Sequence, residues 1–378
     1  MPRFPFHRTL LCWILVTATG IAAAAPVIES EKQTFTYETV ASGLSHPWSV
    51  AFLPDGRMLL TERAGRLRLI DSDGRLDPRP IEGLPEIEQL GQGGLLDVVL
   101  HPHFSDNHWV YFSYAEPGPG GVGTAVARGK LTDHRLDQVE VIFRMDRKSR
   151  KSYHFGSRLV FDRDGYLYIT LGERGERMQA QNLGSDNGAL IRIRDDGRIP
   201  EDNPFLGRTG ARPEIYDYGH RNMQGAALNP DTGRLWTHEH GPQGGDEINI
   251  EQAGANYGWP VITYGVNYVT GTPIGEGTRK PGMQQPIHYW VPSIAPSGMA
   301  FYTGSRFPGW QGNLFVGSLK FEQLVRLELA GDKVVHEERL LGGELGRIRD
   351  VREGPDGLLY LLTDDEDGRL IRLLPVEN

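Results

Sequence analysis

In the run YHFGSRLVFDRDGYLYITLGERG, His154 stands just before one alternating strand and Glu173 closes the next strand of the same hairpin. A carboxylate within reach of one imidazole nitrogen fixes the ring's tautomer and raises its basicity, which is what a general base requires. Downstream, GHRNMQG sets an imidazole, a guanidinium and two amides between Gly219 and Gly225. Arg221 and Asn222 in that turn suit the anionic or carbonyl oxygens of a ligand. One hairpin later, HGPQGGDEINIEQAGANYGWP offers the bare carbonyls of Gly241 and Pro242, with Asp246 and Glu247 close behind. Carbonyls together with hard carboxylates are the ligand set of Ca²⁺. A third group of cations, Lys320 in GSLKFE and Arg347 and Arg349 in GRIRDV, stands near predicted strand ends. Taken singly, each of these groups is an ordinary structural or surface feature. If the fold gathers them, they imply an anionic ligand with several carboxylates held near a cation.

Other patterns carry less. Gly118-x-Gly120-x-x-Gly123 matches the dinucleotide fingerprint, but the TAVARGKL that follows is strand-like. No helix N-terminus then meets a pyrophosphate, and the stretch reads as a glycine-rich hairpin. The DRDG and DEDG runs lack the glutamate and the helices of a calcium loop and read as turns. No Gly-x-Ser-x-Gly elbow is present. His238 and His240 share a strand face and could bind a metal, but they read more readily as ordinary strand residues.

The elements that must position these groups are short strands. Glycine, at 48 residues, is about twice its usual frequency, and long 3.6-period apolar stretches are missing. One phrase recurs instead: a Pro/Asp/Gly turn, an alternating strand, a polar turn and another strand. It begins at Leu53, His101, Phe161, Leu228, Arg306 and Gly354. Asp-Gly and Asn/Asp-x-Gly supply the positive φ of tight hairpins. Six copies, roughly 45 to 80 residues apart, suit propeller blades with insertions. The chain is thus predicted to be all-β, a six-bladed β-propeller of four-stranded antiparallel blades, with long insertions before Phe161 and Arg306.

The propeller is assigned to residues 25–378 as a single domain, and residues 1–24 to a secretory signal peptide. Arg3, His7 and Arg8 precede an apolar run that ends in Ala22-Ala23-Ala24-Ala25 before Pro26. The only cysteine, Cys12, lies in that leader, so the mature chain is expected to have no disulfide and no thiolate metal site. No later apolar stretch is long enough to span a bilayer. The net charge of -9 leaves no basic stripe for nucleic acid. A periplasmic or secreted protein is the class these features favour.

The stretches quoted above resemble the family of soluble, periplasmic quinoprotein sugar dehydrogenases, which use pyrroloquinoline quinone (PQQ) with Ca²⁺ on a six-bladed propeller. The similarity runs from GLSHPWSVAFLPDGRMLLTER nearly to the C-terminus. Its most specific motifs are GQGGLLDVVLHP, GHRNMQG, EHGPQGGDEIN, GANYGWP, GSLK and RIRDV; TLGERG and GVNY are similar to the aldose sugar dehydrogenase branch. The resemblance implies His154 as catalytic base, oriented by Glu173, with Arg221 stabilising charge on the quinone. Gln92, Arg221, Asn222 and Tyr268 would surround the cofactor. So would Ser318, Leu319 and Lys320, and the run Arg347, Ile348 and Arg349. The three carboxylates of PQQ suit Lys320, Arg347 and Arg349. Gly241 and Pro242 would lend carbonyls to the Ca²⁺ that polarises the quinone, and Glu247 and Tyr257 match a second, structural Ca²⁺ site.

The implied reaction takes a C1 hydride and a hydroxyl proton from an aldose, leaves the lactone, and passes electrons to an external acceptor. Tyr153 stands where the glucose-specific branch has an acid, and Met178 and the HYWVPS segment around Trp290 also differ. A broad aldose preference is therefore expected. An insertion that can help the glucose enzymes dimerise is absent between Tyr268 and Trp290, which points to a monomer. Two other readings stay open: a Ca²⁺-dependent propeller lactonase, and a noncatalytic propeller that binds a protein or glycan.

Overall fold

A computed structural model of the chain describes residues 26–376 together with Met1. The leader expected over residues 1–24, Met1 apart, lies outside the described residues. The glycine turns behave as their chemistry requires. Gly56 and Gly165 sit at φ 86° and 82°, where a residue without Cβ is unstrained. Each reverses the chain between the first two strands of a sheet.

There are six such sheets among the described residues, all antiparallel. Their opening hairpins are Pro47–Phe52 with Met58–Glu62, Leu95–Leu100 with Trp109–Gly118, and Gly156–Phe161 with Tyr166–Leu171. Then follow Met223–Leu228 with Leu235–Glu239, Pro296–Phe301 with Leu314–Ser318, and Ile348–Glu353 with Leu359–Thr363. Every recurring phrase in the sequence marks one of these hairpins. The first strand of each sheet packs on the first strand of the next, and the sixth returns to the first. The fold is a six-bladed β-propeller.

Four blades have four strands, as expected, and two do not. Blade 1 has three, ending in Arg66–Ile70, and single bridges at Ile81 and Leu76 stand in for a fourth. Blade 6 has five, because the N-terminal strand Thr34–Leu44 pairs with Gly368–Pro375 and itself carries Ile28–Glu29. That borrowed strand closes the ring. It satisfies an edge that would otherwise stay open.

The insertion expected before Phe161 is strand instead. Gly121–Thr132 and Arg135–Arg144 form a long outer hairpin of blade 2, since nothing breaks the alternation until Asp133 turns the chain at φ 38°. Long loops leave blade 3 over residues 172–188 and 195–214 and blade 4 over 251–287, the last upstream of Arg306 as expected. Gly118 pairs with Gly121 across the tip of a hairpin, as read from the sequence. The DRDG and DEDG runs are likewise blade turns.

Apolar side chains meet between blades. Trp236 of blade 4 packs edge-on to Phe301 of blade 5 at 5.3 Å, and Tyr111 of blade 2 to Phe161 of blade 3 at 4.9 Å. Hydroxyls on the second strands staple one blade to the next. Thr61 Oγ1 donates to the Leu96 carbonyl, Ser113 Oγ to Ser157 and Thr170 Oγ1 to Met223, each in the following blade. His238 takes that place in blade 4, pressed against Gly225, where a Cβ would meet its Nε2 at 2.0 Å. Among the described residues no helix is long and apolar enough to cross a membrane.

Candidate active site

In an antiparallel hairpin, the start of the first strand and the end of the second lie on the same side. Each blade therefore presents two short segments at one rim of the ring. Blade 3 presents His154 and Glu173, blade 4 Arg221 and His240, and blade 6 Arg347, Arg349 and Asp364. Blade 1 adds Arg63, and Gln92 precedes the inner strand of blade 2.

His154 Nδ1 lies 3.0 Å from Glu173 Oε1. An ionised carboxylate only accepts, so Nδ1 carries the proton and Nε2 keeps its lone pair. No partner to Nε2 exists among the described residues. The backbone is held as firmly as the ring. His154 N donates to Gln92 Oε1 at 2.8 Å, and a Cβ on Gly172 would meet the His154 carbonyl at 2.1 Å. His154 itself has φ 59°, a left-handed conformation that a non-glycine residue adopts at a cost. Arg174 braces it from behind, with its guanidinium 3.5 Å from the Phe155 ring centroid and bonded to the Lys151 and Tyr153 carbonyls.

Burial lowers the His154 pKa below 6.5 more than Glu173 raises it, and Arg221 adds to the lowering. The imidazole is therefore neutral at pH 7, the state a base needs, and it is lost as pH falls through the lowered pKa. Glu173→Gln removes a contribution that raises the pKa. The acid limb of kcat/KM should move to lower pH while kcat falls. A limb that stays put or moves upward would mean that Glu173 does not act through His154.

Two cavities adjoin here and share Gln92. One, about 360 Å³, opens over His154 between Tyr153, Arg177 and Tyr268. The other, about 240 Å³, is walled by Trp48, Leu319 and His240, with Arg63, Arg347 and Arg349 as its cations. Asp364 is the one carboxylate among its lining residues. It lies 2.6 Å from Arg349 Nη2, 3.3 Å from Arg347 Nη2 and 3.1 Å from His46 Nδ1. Against the burial that would raise it, these partners hold the Asp364 carboxyl well below its usual range. A cavity this rich in cations fits a ligand with several carboxylates.

Not every expected cofactor residue reaches that wall. Gln92, Leu319, Arg347 and Arg349 do, and Tyr268 lines the cavity over His154. Lys320 is exposed, its ammonium 5.1 Å from the Phe321 ring. Ser318 is buried and donates to the Ile294 carbonyl at 2.7 Å. Asn222 is also buried, its Oδ1 accepting from Gly156 N at 3.1 Å, so it ties blade 4 to blade 3. Ile348 points its side chain into the apolar core, and its carbonyl accepts from Ser297 Oγ at 2.6 Å. The reason is parity: successive strand residues face opposite ways, so Arg347 and Arg349 face the cavity and Ile348 turns from it.

The GHRNMQG turn is held by its histidine. His220 Nδ1 meets Glu239 at 2.9 Å, its Nε2 meets Asp217 at 3.1 Å, and Glu251 lies 3.6 Å away. Against the lowering effect of burial, Glu251 and Glu239 keep the imidazole well above its usual pKa. Arg221 Nη1 donates to the carbonyls of His240 (2.9 Å) and Gly241 (2.7 Å). A cation at the Gly241 carbonyl would use the oxygen's second lone pair, beside this guanidinium. Pro242 is buried beside Gly265.

Glu247 and Tyr257 line a small neighbouring cavity with Glu239 and Gly241. Burial, and then the Glu239 charge, push the Glu247 carboxyl well above its usual range. Two carboxylates facing one small space, with a carbonyl beside them, fit a hard cation. The Tyr257 ring stacks on His220 and its hydroxyl donates to the Ile250 carbonyl, leaving only its own carbonyl for a metal. Asp246 is not part of this set. Its oxygens accept from Gly241 N, Ser293 Oγ, Ile294 N and Ala295 N, so it organises the loop.

Sequence reasoning missed Trp48, Arg63, His240 and Asp364. Asp364 lies inside LLTDDEDG, where turn chemistry alone accounts for the acids. The Arg63, Arg347 and Arg349 side chains come together only when blade 1 meets blade 6.

A family model for glucose/sorbosone dehydrogenases matches residues 44–372, from the first blade to the last. The chain belongs to the glucose/sorbosone dehydrogenase family. All of the rim residues described above fall within the matched span. This dehydrogenase is 48% identical over 348 residues to aldose sugar dehydrogenase YliI of Escherichia coli (strain K12), covering 90% of this chain and 93% of that protein. A crystal structure of a glucose dehydrogenase superposes with a TM-score of 0.88 at 53% identity, over 90% of this chain and 100% of the other. The PQQ-bound form of aldose sugar dehydrogenase from Streptomyces coelicolor superposes with a TM-score of 0.74 at 30% identity, over 89% and 96% of the two chains.

Proposed function

We propose that the protein oxidises aldose sugars at C1 to the lactone, using PQQ and Ca²⁺, and passes the electrons to an external acceptor. The observation that carries this reading is the His154–Glu173 pair opening into one cavity while a cation-lined cavity adjoins it across Gln92. When bound, PQQ supplies the hydride acceptor, made more electrophilic by the cation. The sugar sits over His154, between Tyr153 and Tyr268, and Nε2 takes the C1 hydroxyl proton. Glu173 stabilises the imidazolium that results and keeps the ring in one orientation. Arg347 and Arg349 would bind cofactor carboxylates, and Arg221 would stabilise charge that develops on the quinone. Gly241 and Pro242 offer carbonyls to one Ca²⁺, and Glu247 with the Tyr257 carbonyl to another.

The preference is for aldoses broadly, since the wall over His154 has Tyr153, and its one acid, Glu173, is held by the imidazole. In this reading the chain is exported to the periplasm by its N-terminal leader and works as a monomer. A lactonase is less well supported, because the central cavity has a single carboxylate and that one is tied to two arginines.

The test is to add PQQ and Ca²⁺ to the apoprotein and follow dye reduction across a panel of aldoses. Sugar-dependent reduction that needs both additions is the expected result. Its absence with every aldose would end the dehydrogenase reading and return the lactonase and binding alternatives to the front.

A further inference from the structure

Arg63 is the cation of the central cavity that has no counter-charge. It stands in the cavity wall, its Nε is buried without a hydrogen-bond partner, and it forms no ion pair among the described residues. The adjacent carboxylate does not serve it. Glu62 is fully buried on the other face of the strand, where Arg66 (2.6 Å), Arg68 (3.1 Å) and the Ser45 amide (2.7 Å) hold it. Strand alternation therefore sends Glu62 into the blade and Arg63 to the rim.

The backbone around Arg63 is built to keep it there. Arg63 N donates to the His46 carbonyl at 3.1 Å, and its own carbonyl accepts from Leu95 N at 3.2 Å. Gly94, at φ 155°, lies so close that a Cβ would meet the Arg63 carbonyl at 1.9 Å and its Cγ at 2.8 Å. Burial lowers the Arg63 pKa, Asp364 partly offsets this, and the charges of Arg349 and Arg347 lower it further. Three guanidiniums thus face one space that holds a single carboxylate, and Asp364 is already taken by the other two. An unpaired, half-buried guanidinium is costly unless a ligand completes it.

We propose that Arg63 binds a carboxylate of the acidic cofactor, with Asp364 holding Arg347 and Arg349 in place until the ligand arrives. This rests on the reading that the cavity takes PQQ. Arg63 forms charge-assisted bonds to one ligand carboxylate, and Arg347 and Arg349 serve another.

The experiment uses apoprotein of the wild type, Arg63→Met and Arg63→Lys, titrated with PQQ in the presence of Ca²⁺. Quenching of tryptophan fluorescence reports binding, since Trp48 lines the cavity. Melting of each apoprotein is measured beside it. Arg63→Met should weaken PQQ binding by at least about tenfold at low salt, and Arg63→Lys should recover part of that loss. The affinity of the Met variant should also depend less on salt between about 20 and about 200 mM. Its apoprotein should melt no lower than the wild type, because only an uncompensated cation has gone.

Equal PQQ affinity in wild type and Arg63→Met would overturn the assignment while leaving the cofactor reading intact. A marked fall in the apoprotein's melting temperature would also overturn it, by making Arg63 a structural residue. Failure of the wild type to bind PQQ at all would remove the cofactor reading and this inference with it.

Discussion

His154→Ala should lower kcat by about 10²- to 10⁴-fold while PQQ binds the apoprotein with unchanged affinity. The effect is this large because, without the imidazole, the C1 hydroxyl must lose its proton to water. The separation from binding follows from the geometry, because His154 lines the cavity proposed for the sugar and Arg347 and Arg349 line the other. The acid limb of the pH profile should vanish with the ring, since neutral His154 is the group lost as pH falls. His154→Asn is the companion variant, because asparagine tolerates the φ of 59° better than alanine. Turnover within a few fold of wild type in both variants would remove His154 as the base. Loss of PQQ binding in both would make it a prop for the cofactor cavity.

Asp97→Ala should cost about 3–5 kcal/mol of apoprotein stability, read from thermal or urea unfolding. Asp97 is fully buried where the inner strands of four blades converge. Its Oδ1 accepts from Ser49 Oγ and Arg352 Nη2, each at 2.6 Å, and its Oδ2 from Leu159 N at 2.8 Å. Arg158 Nη1 lies 3.6 Å away and is also 2.9 Å from Asp350. Deleting the carboxylate leaves two guanidiniums to share Asp350 and orphans a backbone amide. Asp97→Asn keeps an acceptor and should lose less. A loss below about 0.5 kcal/mol for Asp97→Ala would mean that Asp350 alone suffices and that this network does not bind blade to blade.

These two residues differ in how far the sequence foretells them. His154 and Glu173 belong to one hairpin, so their meeting is a local event that strand length and a DRDG turn make legible. Asp97 reads as one polar residue in LLDVVLHP, and its partners at Ser49, Leu159 and Arg352 come from three other blades. Ile348 shows a different failure. Strand alternation alone sets it opposite Arg347 and Arg349, yet the motif RIRDV, taken whole, counts it with its neighbours. Asn222 and Ser318 sit inside matching motifs too, and the fold uses their side chains to join segments.

By itself the sequence determined the blade count, the rim hairpins and the His154–Glu173 pair. Each depends on turn chemistry and strand alternation among residues close along the chain. Only the tertiary structure decided that Thr34–Leu44 closes the last blade, that Asp364 sits between Arg347 and Arg349, and that Arg63 faces them with no ion pair among the described residues. Those facts depend on closing the ring, which brings the first and last blades together across almost the whole chain. No local pattern encodes that distance.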